Sequence, residues 1–127
     1  MKIILAIGAG SMIGGVLRYL MVLWSGQKQS GDFPLGTLLV NLIGCLLIGI
    51  IYQLSEHWDL STEWRLAITT GLLGGFTTFS AFSLETVTML RDGYAGAALF
   101  YLLLSVGGGL LATFAGFAIT RWATSTG

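Results

Sequence analysis

The segment GLLGGFTTFSAFSLE, residues 71–85, combines glycines and hydroxyl side chains inside an otherwise apolar run. Each glycine weakens a helix by about 1 kcal/mol relative to alanine. Four hydroxyls follow, at Thr77, Thr78, Ser80 and Ser83. In a membrane, backbone that leaves the helical ladder must find hydrogen-bond partners in protein or in a water-lined cavity. The segment therefore indicates either an interrupted helix at an ion or solute site, or a small-residue face packed against a neighbouring helix.

Composition places the whole chain in a membrane. Of its 127 residues, 54% are hydrophobic and 9% are charged, whereas about a quarter are charged in a soluble domain. A bilayer-spanning helix needs about 20 mostly apolar residues, and a polar loop over 25–32 separates the first two such runs. We predict one all-α membrane domain, 1–127, with four transmembrane helices over about 3–23, 35–54, 65–90 and 94–122.

Several function classes find no support in the sequence. The net charge is zero, so no nucleic-acid partner is expected. The single cysteine, Cys45, cannot form an intrachain disulfide, and the single histidine, His57, cannot make a zinc site. An enzyme would require a nucleophile–base pair or a metal cluster, and neither is visible. We therefore predict that the protein is not an enzyme and that it is embedded in membrane lipid.

The basic residues predict no preferred orientation in the membrane. With four crossings, three basic residues fall on each side: Lys2, Arg65 and Arg121 on one, and Arg18, Lys28 and Arg91 on the other. Orientation normally follows an excess of Lys and Arg on one side. We predict that copies insert in both directions and pair as an antiparallel, dual-topology homodimer with an isologous interface.

Three polar side chains at or near membrane depth are candidates for function. Asn41 heads a stripe of small residues on the second helix, where it either bonds a neighbouring helix or lines a pathway with an N–H donor. Glu85 is an acid within the third span, and such acids are functional candidates by default. Arg18 lies near a helix end, from which its side chain can reach the headgroups.

Helical spacing groups further candidates on shared faces. Phe79 and Phe82 are three residues apart, and so are Ser80 and Ser83, so each pair points in one direction on a helix. Both pairs fall in the third predicted span, directly after the glycines. The last helix carries a polar or small track with a spacing of four: Tyr101, Ser105, Gly109 and Thr113. On spacing alone, a contact between helices explains this track better than a solute pathway does.

With these residues identified, the chain resembles the Fluc (CrcB-type) family of fluoride channels. The resemblance rests on motifs in the first three helices. They are GG at 14–15 with RY at 18–19, GTL at 36–38 with VN at 40–41 and Gly44, TG at 70–71 with GG at 74–75, and TTFSAFS at 77–83 followed by Glu85. The length of the chain and the four-helix layout also match the family.

The resemblance implies a passive fluoride channel in the bacterial inner membrane. It implies an antiparallel homodimer with two pores, and a third helix broken near 74–77. A central structural sodium ion would be held by the backbone carbonyls of Gly74 and Thr77 from both subunits. Glu85 would lie beside the pore mouth, and Arg18 at the end of the first helix. The implied fluoride pathway comprises Asn41, Phe79, Phe82, Ser80, Ser83, Tyr101 and Ser105.

Two departures from the family pattern and one rival qualify this expectation. Ala81 and Gly109 stand where the family usually has a hydroxyl, which leaves the polar route less complete. The preference for fluoride over chloride comes from the resemblance alone. The rival is a small dual-topology multidrug–proton exporter, which resembles this chain in length but has a membrane-buried glutamate in its first helix. Here the span 3–17 contains no acid.

Overall fold

The computed structural model describes residues 1–28 and 33–127, and within these ranges every regular element is helical. Helix α1 is Lys2–Trp24 and α2 is Leu35–His57. The third span consists of α3 (62–76) and α4 (Phe79–Arg91), and α5 is Ala95–Ser125. Four of the described helical spans are long and apolar enough to cross a membrane, which confirms the predicted fold class. The part of the predicted loop at 29–32 lies outside the described residues.

The ends of α2 follow from local backbone chemistry. Pro34 precedes the helix, where its missing N–H leaves no helical bond unmade, and its carbonyl accepts from the Leu38 N–H at 3.1 Å. The helix continues to His57, past the predicted end at 54. It ends before Asp59, whose φ of 49° lies in the left-handed region. Polarity alone suggested an earlier end, but a helix continues beyond the hydrocarbon wherever its backbone bonds are satisfied.

Glycines bring α1 directly onto the backbone of α3. A Cβ added at Gly10 would lie 2.5 Å from the Ala67 carbonyl oxygen, and one at Gly75 would lie 2.5 Å from the Ser11 carbonyl oxygen. Each helix thus offers the other a groove without side chains, as small residues do at helix contacts in membranes. In α3 this contact coincides with a π-helical stretch, Ala67–Leu73. Such stretches are frequent at functional sites.

A second glycine contact joins α2 to α5. Gly49 and Gly116 lie face to face, so that a Cβ added at Gly116 would be 2.9 Å from the backbone nitrogen of Ile50. Beside them, the Thr113 hydroxyl donates to the Cys45 carbonyl at 3.0 Å. The small stripe on α2 therefore packs on α5 through its Cys45 and Gly49 positions.

The buried core is small and lies toward the α4 end of the molecule. Leu38, Phe82 and Tyr101 form it, each less than a tenth exposed. Large apolar side chains cover the outside instead, and Leu110, for example, is 70% exposed. An apolar surface of this kind needs hydrocarbon or another protein chain against it.

Candidate functional site

The third span is interrupted at Thr77 and Thr78, whose backbones are extended. The Thr78 N–H donates to Asn41 Oδ1 at 2.8 Å, and Asn41 Nδ2 donates to the Thr78 carbonyl at 3.0 Å. One side-chain amide thereby satisfies both backbone groups of an extended residue at membrane depth. Asn41 is the residue that holds the break open, and the predicted interruption of the third helix is confirmed.

The break takes the N–H groups of residues 78–81 away from the carbonyls of 74–77 that a continuous helix would give them, and Gly74 and Thr77 are the first and last of these four carbonyls. In an unbroken helix, Thr78 would donate to the Gly74 carbonyl and Ala81 to the Thr77 carbonyl. Instead Thr78 donates to Asn41, and Ala81 donates to Thr78 Oγ1 at 3.2 Å as part of an N-cap on α4. The carbonyls of Gly74 and Thr77 thus lose their helical donors. These are the two carbonyls that the resemblance assigned to sodium.

These carbonyls suit a hard cation. Neutral backbone oxygens are ordinary ligands for hard metal ions. In the described part of the chain, no group of three or more His, Cys, Asp or Glu side chains could hold a metal. A cation at the break would therefore depend on backbone oxygens, and the two relieved carbonyls are of the right chemical kind. Sodium remains a prediction.

A cavity of about 420 Å³ adjoins the break. Its wall brings together Asn41, Phe79, Phe82 and Ser105 from the predicted pathway. The Ser105 Oγ is buried and has no hydrogen-bond partner within the described residues. A buried hydroxyl without a partner is costly, and because this oxygen is covered within the subunit, it would have to turn toward the cavity to donate to a guest there. The wall also includes both predicted sodium residues, Gly74 and Thr77.

Aromatic rings lead from this cavity toward the core. The ring centroids of Phe79 and Phe82 are 5.6 Å apart, and those of Phe82 and Tyr101 are 5.1 Å apart. Phe79 is 78% exposed, whereas Phe82 is buried. The rings of Phe79, Phe82 and Tyr101 therefore form a column that begins on the outer surface of the subunit and ends inside it. Tilted rings of this kind offer weakly positive edges to neighbours.

Glu85 is bound by three neutral donors. The Tyr101 hydroxyl donates to Oε2 at 2.7 Å, while Thr37 Oγ1 and Gln27 Nε2 donate to Oε1 at 2.6 and 2.8 Å. Tyr101 is fully buried, and its hydroxyl is engaged here rather than in the first cavity. Sequence reasoning missed Gln27, which no local pattern marks. Thr37 was noticed only as part of the GTL motif.

A second cavity, of about 500 Å³, lies at the end of the molecule where the α1–α2 connection is found. Glu85 and Gln27 line it, together with Lys28 and Asp92. The two cavities share no lining residue. Phe82 borders the first and Glu85 the second, and the buried Phe82–Tyr101 contact lies between them.

The remaining predicted site residues lie outside both cavities. Ser80 and Ser83 are exposed on α4, and the Ser80 Oγ is 3.3 Å from Thr78 Oγ1. Arg18 is half-buried on α1 and lines neither cavity. Within one subunit the structure thus brings together Asn41, Phe79, Phe82 and Ser105. It places Glu85 with Tyr101 in a second group and leaves the two serines facing outward.

Known proteins resemble this chain over nearly its whole length. A family model described as "CrcB-like protein, Camphor Resistance (CrcB)" matches residues 5–117. A relative from Rhizobium meliloti (strain 1021), named fluoride-specific ion channel FluC, is 47% identical over 95% of this chain and 98% of its own length. Relatives of the same name from Pseudomonas putida (strain F1) and Chloroflexus aurantiacus (strain J-10-fl) are 46% identical over 94% and 96% of this chain. The family expected from the motifs is confirmed, and the chain belongs to the CrcB-like proteins.

Proposed function

We propose that this protein is a fluoride-specific ion channel, through which fluoride crosses the membrane passively and without an enzymatic step. The relatives that carry this name match the chain almost from end to end at 46–47% identity. The observation that carries the proposal furthest is the cavity at the broken helix. Its wall joins an amide, an unpartnered hydroxyl and two phenylalanine rings.

The chemistry of this wall suits a small, strongly hydrated anion. A pore must replace the water around fluoride with hydrogen-bond donors. Asn41 uses one hydrogen of its NH₂ group on Thr78, and an amide carries two. The Ser105 hydroxyl is a second donor, and ring edges of Phe79 and Phe82 add partial positive charge. The N-terminus of α4 also points its positive dipole end at the break.

The active form in this proposal is an antiparallel dimer with two pores. Four residues of the predicted sites are exposed on the single subunit. They are Phe79, Ser80 and Ser83 of the pathway and Gly74 of the sodium site. A second copy laid against this face would cover the cavity and bring the two outward serines into the pathway. The even division of basic residues allows the copy to be inverted.

A central sodium ion completes the proposed dimer. The Gly74 and Thr77 carbonyls of each subunit, freed of their helical donors, would supply four neutral oxygens from two copies. When bound, the cation would offset the crowded carbonyl dipoles where the copies meet. Its role is structural, because nothing in the pathway requires it to move.

Ion flux from liposomes tests the function. Purified protein in vesicles loaded with potassium fluoride should release fluoride rapidly, and vesicles loaded with potassium chloride should release little chloride. Both are read with ion-selective electrodes after adding a potassium ionophore. Fluoride release no faster than from empty vesicles would overturn the proposal. Drug uptake driven by a proton gradient would instead favour the exporter, although α1 contains no Asp or Glu.

Reporter fusions test the proposed topology and location. A C-terminal reporter that is active only outside the cytoplasm, and another that is active only inside, should both give signal in the inner-membrane fraction of bacterial cells. Signal from a single reporter in every cell would contradict dual topology, while leaving the flux result to be judged separately.

A further inference from the structure

Gln27 joins the α1–α2 connection to the third span through one side chain. Its Nε2 donates to Glu85 Oε1 at 2.8 Å, and its Oε1 accepts from the Thr37 N–H at 3.0 Å. An amide can donate and accept at once, so Gln27 both caps the beginning of α2 and holds a carboxylate in the membrane.

Gln27 is closely packed on the side that faces Ser25 and Gly36. Its own N–H donates to Ser25 Oγ at 3.3 Å, and that hydroxyl in turn donates to the Val22 carbonyl at 2.7 Å. A Cβ added at Gly36 would lie 2.9 Å from Gln27 Oε1 and 2.5 Å from Ser25 Oγ. The end of α1 and the beginning of α2 thus both contact this one side chain or the Ser25 hydroxyl that it bonds.

Gln27 differs from the other two described donors to Glu85 in where it comes from. Thr37 and Tyr101 are buried positions on helices, while Gln27 belongs to the connection and lines the second cavity beside Glu85. With Gln27 in place, both carboxylate oxygens are held by donors. Without it, the Oε1 side of the carboxylate would have one donor fewer and would face the cavity.

We propose that Gln27 is a positioning residue for anion passage: it holds the Glu85 carboxylate against Thr37 and Tyr101, so that Oε1 is hydrogen-bonded at the wall of the second cavity rather than free. At Glu85, an anion entering that cavity would meet a bound carboxylate rather than a free one, and like charges repel strongly where water is scarce. Asp92 and Lys28 also line the cavity, and Gln27 does not act on them. This inference rests on the proposed fluoride-channel function and takes the second cavity as the mouth of that pathway.

A double-mutant cycle in liposomes tests the inference. Gln27→Leu removes the amide and should lower fluoride efflux about tenfold, the scale of a lost hydrogen bond to a charged group. In a Glu85→Gln background, the same substitution should change efflux less than twofold relative to Glu85→Gln alone. Gln53→Leu is the matched control, because Gln53 is half-buried on α2 and lines neither cavity. An equal effect of Gln27→Leu in both backgrounds, or none in either, overturns the proposal.

An infrared measurement separates this inference from the channel function itself. The carboxylate stretching band assigned to Glu85, by its loss in Glu85→Gln, should shift in Gln27→Leu and return toward its original position in Gln27→Asn. This readout needs no fluoride flux. If the band shifts in Gln27→Leu but the unsubstituted protein conducts no fluoride, the positioning contact is upheld and the proposed function is overturned. If the band does not shift but the unsubstituted protein conducts fluoride, the positioning contact is overturned and the proposed function is upheld.

Discussion

The two halves of the segment 71–85 contain similar small residues but differ in structure: the first packs against a neighbouring helix and the second interrupts its own helix. In the first half, Gly71 and Gly75 lie against the backbone of α1, and a Cβ at either would collide with a carbonyl oxygen. In the second half, Thr77 and Thr78 leave the helix and bond the amide of Asn41. Close packing and interruption were alternatives for one stretch of sequence, and both are present, separated by a single turn.

The difference teaches how a membrane protein can break a helix without losing stability at that point. The glycine contact holds α3 rigidly to α1 up to Phe76, so the chain enters the break from a fixed position. Asn41 then meets the hydrogen-bonding needs of the extended residue that follows. We expect substitutions in the packed half to act on folding, and substitutions at the break to act on ion flux as well.

The largest effect is expected at Gly14 on the α1 side of the packed contact. A Cβ there would meet the Leu72 carbonyl oxygen and lie 2.8 Å from the Phe76 backbone nitrogen, with no flexible side chain to give way. Gly14→Leu should therefore prevent accumulation of folded protein, and Gly14→Ala should destabilise it by about 1–3 kcal/mol, as overpacking does. Folded yield on gel filtration in detergent and thermal unfolding measure this.

The adjacent Gly15 is a matched control for Gly14. A Cβ at Gly15 meets nothing within 4 Å in the subunit. Gly15→Ala should leave the folded yield unchanged and stabilise α1 by up to about 1 kcal/mol through helix propensity. Equal losses from Gly14→Ala and Gly15→Ala would show that the contact between α1 and α3 does not set the stability of this half.

At the break, Asn41→Asp should abolish fluoride flux, by at least about 100-fold. The carboxylate can still accept from the Thr78 N–H but can no longer donate to the Thr78 carbonyl, so two oxygens would face each other at the site of the 3.0 Å bond. A negative charge on the cavity wall would also repel the anion. Together these effects should exceed about 3 kcal/mol, because each lost or unsatisfied buried bond costs about 1–3 kcal/mol.

Flux from liposomes, compared with that of Gln53→Glu, separates the local effect from a general effect of new charge. Gln53 lies on the same helix but lines neither cavity. Its substitution should reduce flux less than about twofold. Flux near that of the original protein in Asn41→Asp would remove Asn41 from the pathway and from its role at the break.

Sequence patterns predicted the structural features that depend on the spacing of residues along one helix. Apolar runs located the four spans. Hydroxyls after glycines indicated an interruption as one of two alternatives, and the resemblance placed it near 74–77. The extended residues are Thr77 and Thr78.

Contacts between distant positions were out of reach of the sequence. The amide of Asn41 was equally compatible with a helix contact and a pathway, because its partner Thr78 lies 37 positions away. Gln27 and Glu85 are 58 positions apart, and no periodicity links a loop residue to a helix face. The resemblance assigned Tyr101 to the pathway, and its bond to Glu85, 16 positions away, could not be predicted from the resemblance or from its spacing. Only tertiary packing determines such partners.

The smallest effects should distinguish two hydroxyls on one cavity wall. The Thr113 hydroxyl donates to the Cys45 carbonyl, as a packing residue would, whereas the Ser105 hydroxyl is buried without a partner among the described residues. Thr113→Val should lower stability by about 1 kcal/mol, the typical value of one hydrogen bond, and leave fluoride flux within about twofold.

Ser105→Ala should show the opposite pattern. It removes an unsatisfied polar atom, so stability should hold or rise slightly. Fluoride flux should fall about tenfold, because the pathway loses one hydrogen-bond donor to the anion. Thermal unfolding and liposome efflux on both variants make the measurement. If both hydroxyls changed stability alone, the donors of the pathway would have to come from Asn41 and the partner-facing serines, and the cavity beside the break would be a packing defect rather than part of the route.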